Sequence, residues 1–286
     1  MNLLEYYQNI PLHLNPTAVT VGFFSLKWYS TMYLVGFLVV YFLLKWRVNN
    51  DQIRGESQIP IFKSQISLTD LLLVAMAGAI IGGRLGYILF YNCSYFLQNP
   101  VAMISPYDLA TGKLIGIYGM SYHGGVMGIV AAVLIFARKR KLNFWKLADF
   151  VVPAIPAGYF FGRIGNFLNL ELYGRVTDSW WGMYFPVVTD MLPVLRYPSQ
   201  LLEAFLEGLL LFVILWSLRN KDFFSGSNLA AYLIGYGVFR IAVEFFREPD
   251  AQIGLISVYF TLGQIFSLGM ILIGLAIYFR RKKYEV

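Results

Sequence analysis

Seven apolar stretches dominate the sequence, each about as long as a helix needs to cross a bilayer. They fall near 24–44, 70–91, 115–137, 148–168, 200–218, 229–246 and 258–279. A hydrocarbon core of about 30 Å takes roughly 20 residues as a helix. Inside lipid only helices and closed barrels satisfy every backbone N–H and C=O group. The runs do not alternate with a period of two, which argues against a barrel. Pro153 and Pro156 interrupt the fourth stretch, which remains a span because neighbouring helices or water can satisfy the freed backbone groups. Charged residues make up 14% of the 286, against about 25% in ordinary soluble chains, so a disordered chain, a coiled coil and a soluble nucleic-acid binder are excluded. The expected fold is an all-α polytopic membrane protein of about seven transmembrane helices, forming one transmembrane domain over 1–286.

The cations set the orientation, because cytoplasmic loops retain lysine and arginine. With the N-terminus outside and the C-terminus cytoplasmic, 15 of the 23 fall on the inner side, among them Lys45, Arg47, Arg138 to Lys141, Arg219 and Arg280 to Lys283. Five fall outside and three, Arg84, Arg163 and Arg240, lie within spans. The net charge of +7 therefore reports topology rather than a nucleic-acid partner. Residues 1–23 lack a basic leader region and a small-residue cleavage site, so no cleavable signal peptide is expected. Residues 169–199 form the longest outer loop, a small cap between spans four and five. A single cysteine, Cys93, excludes an internal disulfide framework, and with only two histidines no metal or cofactor is expected.

Charged groups inside a span are costly, so each needs a partner or a task. Arg84, His123, Arg163 with Asn166, and Arg240 with Glu244 come from four spans, all in the same outer half. Tyr236, Arg240, Glu244 and Arg247 share one helix face by their spacing. Two readings stand for that face: a self-neutralising Arg240–Glu244 pair, or an anion site whose arginine fork suits a phosphate. His123 is a core hydrogen-bonder or a base. Arg84 either closes a pocket or binds packing carbonyls. Glu203 and Glu207, one turn apart, read as structural hydrogen-bonding groups near an outer boundary.

The run from Gly162 through Arg163, Gly165, Asn166, Asn169, Glu171 and Tyr173 to Gly174 resembles the signature of bacterial prolipoprotein diacylglyceryl transferases. Further blocks are similar and stand in family order. They are Trp28-Tyr29, Tyr122-His123-Gly124-Gly125, Tyr197-Pro198-Ser199-Gln200, and the segment from Tyr236 to Asp250. Two positions depart from the pattern: Leu170 and Ser30 stand where the family usually has glycine.

The resemblance implies transfer of diacylglyceryl from phosphatidylglycerol to the lipobox cysteine of a prolipoprotein signal peptide, forming a thioether and releasing glycerol phosphate. It implies a multi-pass protein of the bacterial cytoplasmic (inner) membrane with its site toward the outer leaflet. The implied catalytic residues are His123, Arg240, Tyr29 and Glu244. The implied substrate-binding residues are Arg163, Asn166, Glu171, Gly174, Tyr236, Arg247 and Arg84. A thiol of pKa about 8.5 must lose its proton before attacking carbon. His123 is the leading base, with Glu244 or Tyr29 as alternatives. The nucleophile belongs to the substrate, so the chain needs no activated serine or cysteine of its own. The rival is a lipid or anion transporter using the same cationic pocket, although no internal repeat is visible. A retinal protein would need a lysine in 258–279, where there is none.

Overall fold

A computed structural model describes residues 2–21, 24–53, 68–105, 107, 112, 119–186, 192–221, 223–248, 255–256 and 260–285. The chain is mostly helical. In order, its elements are α1 (Leu3–Asn9), strands β1 (Thr17–Val21) and β2 (Phe24–Lys27), α2 (Trp28–Ile53), α3 (Leu68–Tyr91), α4 (Cys93–Gln98) and α5 (Tyr122–Lys139). Then come α6 (Phe144–Val151), α7 (Ile155–Leu168), β3 (Met183–Phe185), β4 (Val194–Arg196) and α8 (Ser199–Glu203). A π-helical segment (Ala204–Leu210) leads into α9 (Leu211–Leu218), followed by α10 (Ser227–Glu244), β5 (Leu255–Ile256), β6 (Phe260–Thr261) and α11 (Leu262–Glu285).

Among the described residues, five stretches are helices both long and apolar enough to cross a membrane: Trp28–Asn50, Leu68–Tyr91, Phe144–Leu168, Ser199–Leu218 and Leu262–Lys283. The chain is therefore a multi-pass all-α membrane protein. Stretches three and six are helical as α5 and α10, at 18 residues each. α5 carries His123, Arg138 and Lys139, and α10 carries Arg240 and Glu244. Residues 115–118 of the expected third span lie outside the described residues.

The expected first span is corrected at its start. Residues 24–27 form β2, antiparallel to β1, with Val21 opposite Phe24 and Thr17 opposite Lys27. The β-branched run Thr17, Val19, Thr20 and Val21 favours this pairing, and apolarity alone does not separate a strand from the beginning of a helix. The fourth stretch breaks where the prolines predict. A single 3₁₀ turn at Val152–Ala154 carries Pro153, and Pro156 sits in the first turn of α7, where its missing N–H costs nothing.

The described chain forms two compact units, Met1–Asn50 with Ala148–Val286, and Asp51–Leu147. In the second unit α3 and α5 cross along a stripe of glycines. A Cβ at Gly78 would lie 2.6 Å from the Gly128 carbonyl oxygen, and one at Gly86 would lie 2.7 Å from Gly124 Cα. Only glycine allows backbones this close, the small-residue packing by which membrane helices associate.

In the first unit Val152, Leu211 and Leu215 form a buried core with Leu229, Tyr232, Tyr236 and Phe239 around it. Asp149 closes one end. Its carboxylate accepts from the Gly226 N–H at 2.5 Å and the Leu229 N–H at 3.1 Å, capping α10 in place of a side chain from the helix itself. Arg47, taken from sequence as a loop cation, lies within α2 and is buried. It donates to the carbonyls of Asp149, Phe150 and Arg219 at 2.7–3.0 Å. Residues 169–186 and 192–199 pack with the N-terminal segment. Phe167, Met183 and Phe185 are buried against Tyr7, Ile10, Leu14 and Tyr173, and Tyr7 donates to the Trp181 carbonyl at 2.9 Å.

Candidate active site

In the first unit, α7, α8 with its π-helical continuation, and α10 bring six ionisable side chains together. Arg163 comes from α7, Glu203 and Glu207 from span five, and Arg240 and Glu244 from α10, with Arg247 just beyond it. Glu203 and Glu207 are fully buried. Arg163 Nε is 2.7 Å from Glu203 Oε2, and Arg240 Nη1 is 3.2 Å from the same oxygen and 3.6 Å from Glu207 Oε1. Arg240 Nη2 lies 3.1 Å from Glu244 Oε2, and Arg247 Nη1 lies 3.5 Å from Glu203 Oε1. Three positive and three negative groups thus offset one another, as burial of charge requires.

The two central arginines are held differently. Arg163 donates from Nε to the Tyr159 hydroxyl at 2.7 Å and from Nη1 to Asn166 Oδ1 at 3.1 Å, and its guanidinium lies over the Tyr159 ring. Its Nη2 takes no hydrogen-bond partner among the described residues. Arg240 approaches its carboxylates as ion pairs without hydrogen-bond alignment, since Arg240 Nη1 and Glu244 Oε2 are buried without such a bond among the described residues. Both arginines therefore retain N–H donors for an anion.

Asn166 continues the chain of contacts, donating to Glu171 Oε1 at 2.9 Å. Glu171 sits between two leucines in the left-handed region, Leu170 and Leu172, each at φ 58°. The backbone there is pinned by α8. Gln200 donates to the Glu171 carbonyl at 2.7 Å, and Ser199 donates to the Leu172 carbonyl at 3.2 Å. Gly174 bridges to Arg247, with its N–H on the Tyr197 carbonyl at 2.8 Å. A Cβ at Gly174 would meet the Tyr197 carbonyl oxygen at 2.8 Å and collide with that of Phe246. Tyr236 packs edge-on to Tyr159 at 5.8 Å, and Tyr29 crosses α7 where Gly165 leaves room, 3.4 Å from its Cα to a Cβ built there.

The structure thus gathers Tyr29, Arg163, Asn166, Glu171, Gly174, Tyr236, Arg240, Glu244 and Arg247 within the first unit. His123 and Arg84 belong to the second unit, each in surroundings of its own. His123 is exposed in the first turn of α5, whose N-cap is Ser121. Arg84 donates to the carbonyls of Met103, Ala102 and Gly119 at 2.8, 2.7 and 3.3 Å, and stacks over Phe96. These are contacts to packing carbonyls, one of the two roles considered for it.

The family model described as Prolipoprotein diacylglyceryl transferase matches residues 16–280. The chain belongs to the prolipoprotein diacylglyceryl transferase family. It is 45% identical to a phosphatidylglycerol–prolipoprotein diacylglyceryl transferase of Chlorobaculum tepidum, over 97% of this chain and 93% of the relative. Proteins of that name from Pseudoalteromonas translucida and Bordetella parapertussis are 44% and 40% identical, over 92% and 96% of this chain and 91% and 97% of theirs.

For this member of the diacylglyceryl transferase family, the structure shows the backbone conformation at a departure noted from sequence. Leu170 stands where glycine is usual, and its φ is positive, a conformation that glycine adopts without strain. Sequence reasoning missed Tyr159. Tyr159 donates to Glu207 Oε2 at 2.5 Å while accepting from Arg163, so it joins span five to α7. The i, i+4 spacings Tyr159–Arg163 and Glu203–Glu207 were visible signals, since each pair must share a helix face.

Proposed function

We propose that the chain transfers the diacylglyceryl group of phosphatidylglycerol to the cysteine thiol of a prolipoprotein, the first step of lipoprotein maturation. The observation that carries this reading is the pairing of Arg163 and Arg240 around Glu203, which brings two guanidinium groups to one place. A phosphodiester accepts from such groups, and arginine offers its donors in planar geometry. In the reaction the thiol loses its proton, sulfur attacks the glycerol carbon of the diacylglyceryl group, and the bond from that carbon to the phosphate oxygen breaks. The products are a thioether and glycerol phosphate. Arginines held in place before the reaction stabilise charge as it grows on the leaving phosphate.

In this reading Arg163 binds the lipid phosphate, and Asn166, Glu171 and Gly174 shape its surroundings. Arg240 and Glu244 act at the leaving group, and Tyr29, Tyr236 and Arg247 complete the pocket. His123 takes the thiol proton, with Glu244 or Tyr29 as the alternatives. The prolipoprotein presents its cysteine in the lipobox of its signal peptide. The protein spans the bacterial cytoplasmic membrane seven times, N-terminus outside and C-terminus inside, with α5 and α10 as two of the spans. The site faces the outer leaflet beneath a cap formed by 169–199.

The transporter reading is not favoured, because the relatives are transferases over nearly the whole chain. The discriminating experiment reconstitutes the protein in vesicles containing phosphatidylglycerol and adds a lipobox peptide. Diacylglyceryl-modified peptide in the mass spectrum supports the transferase. Lipid or anion flux with no modified peptide contradicts it.

A further inference from the structure

We propose that Glu203 is a positioning residue for this reaction: its single carboxylate fixes Arg163, Arg240 and Arg247 relative to one another, so that they meet the leaving phosphate as a set. The inference rests on the reading of the arginine cluster as the phosphate site.

Three observations carry it. Glu203 alone among the described carboxylates pairs with all three arginines, Oε2 serving Arg163 at 2.7 Å and Arg240 at 3.2 Å while Oε1 serves Arg247 at 3.5 Å. Among the described ion pairs, Glu207 and Glu244 each meet Arg240. Second, the arginines spend few aligned hydrogen bonds on carboxylates. Arg163 directs its bonds to Tyr159 and Asn166, and Arg240 aligns none, so the central charge rather than a fork-to-fork bond sets their spacing. Third, the helix changes type at this point. The π-helical segment begins at Ala204, directly after Glu203, and carries Glu207. π-helical turns are rare and occur frequently at functional sites. Gly208 seats this segment against α7, where a Cβ would come within 2.8 Å of Phe160 Cα, next to Tyr159.

Without the negative charge, three guanidinium groups crowd one another and move apart. The positive field that attracts an anionic lipid remains and even strengthens. Loss of Glu203 should therefore act on the chemical step and spare ground-state binding of the lipid, the pattern of a lost transition-state interaction. A displacement of about 1 Å in such a set costs on the order of 100-fold in rate.

The test uses the full chain in detergent with dioleoyl phosphatidylglycerol and a lipobox peptide, comparing wild type, Glu203→Gln and Glu203→Asp at equal amounts of folded protein. The expected result is a fall in kcat on the order of 100-fold for Glu203→Gln with KM for the lipid unchanged or lower. Glu203→Asp, which keeps the charge, should recover part of the lost rate. If Glu203→Gln does not fold, Glu203→Asp carries the test through its own kcat and KM. The proposal is overturned if kcat per folded molecule is unchanged, if the loss lies in KM alone, or if Glu203→Asp is no more active than a folded Glu203→Gln. Wild type inactive under all conditions would instead count against the transferase reading, so the two failures are distinct.

Discussion

Glu203 Oε2 lies 2.7 Å from Arg163 Nε, and the Glu203 side chain is wholly buried. A buried carboxylate this close to a guanidinium depends on it. Removing one partner of a buried pair leaves an uncompensated charge, at a cost of about 3–5 kcal/mol.

Arg163→Ala should therefore lower the melting temperature and abolish transfer. Arg163→Lys separates the two effects. It keeps a positive charge beside Glu203 but loses the planar fork. The melting curve of Arg163→Lys should stay near that of wild type while turnover falls at least about 10-fold, one missing charge-assisted bond being worth about 1.5–3 kcal/mol. Wild-type turnover in a folded Arg163→Lys protein would remove the phosphate from this residue.

Gly174→Ala tests how tightly the loop beyond α7 is held. The added methyl group meets the carbonyl oxygens of Tyr197 and Phe246, which are backbone atoms already engaged in the contacts around it. The substitution should break the bridge to Arg247, seen as faster proteolysis within 169–199 and a fall in activity. An unchanged digestion pattern would contradict the packing described.

The two left-handed leucines should respond in opposite ways to glycine. A non-glycine residue in this region carries roughly 1–2 kcal/mol of strain. Leu172 is 45% exposed, so Leu172→Gly loses little packing and should melt no lower than wild type. Leu170 packs on the Phe167 cluster, so Leu170→Gly should melt lower despite relief of strain. Equal shifts in both variants would refute this division.

His123→Asn tests the assignment of the base. A general base must be deprotonated to work, so the group in that role gives the pH–rate profile a rising limb. The variant should lose most of its rate at neutral pH and lose that limb of the profile. A profile parallel to that of wild type would move the role to Glu244 or Tyr29.

Much of this was legible in the sequence, for reasons specific to each element. Arg163, Asn166, Glu171 and Gly174 stood out because polar groups at the end of an apolar run need partners, and the structure supplies those partners within a few residues. The five long apolar helices were legible because apolar runs of bilayer length have few other fates. The strand at Phe24–Lys27 was not, since apolar residues at a helix entrance read alike in either form. Nothing local in the sequence announces the π-helical segment that begins after Glu203 and carries Glu207. Arg47 looked like a loop cation because its partners are backbone carbonyls about 100 and 170 residues away, which no local pattern reveals.

The central claim is that a thiol displaces a phosphate at the arginine cluster. The most direct measurement incubates the purified protein with phosphatidylglycerol labelled in its headgroup glycerol and a lipobox peptide, then quantifies both products. The account predicts one labelled glycerol phosphate released for each thioether-linked diacylglyceryl peptide formed, with both lost together in Arg163→Ala. Modified peptide formed without glycerol phosphate, or formed undiminished by folded Arg163→Ala, would contradict it.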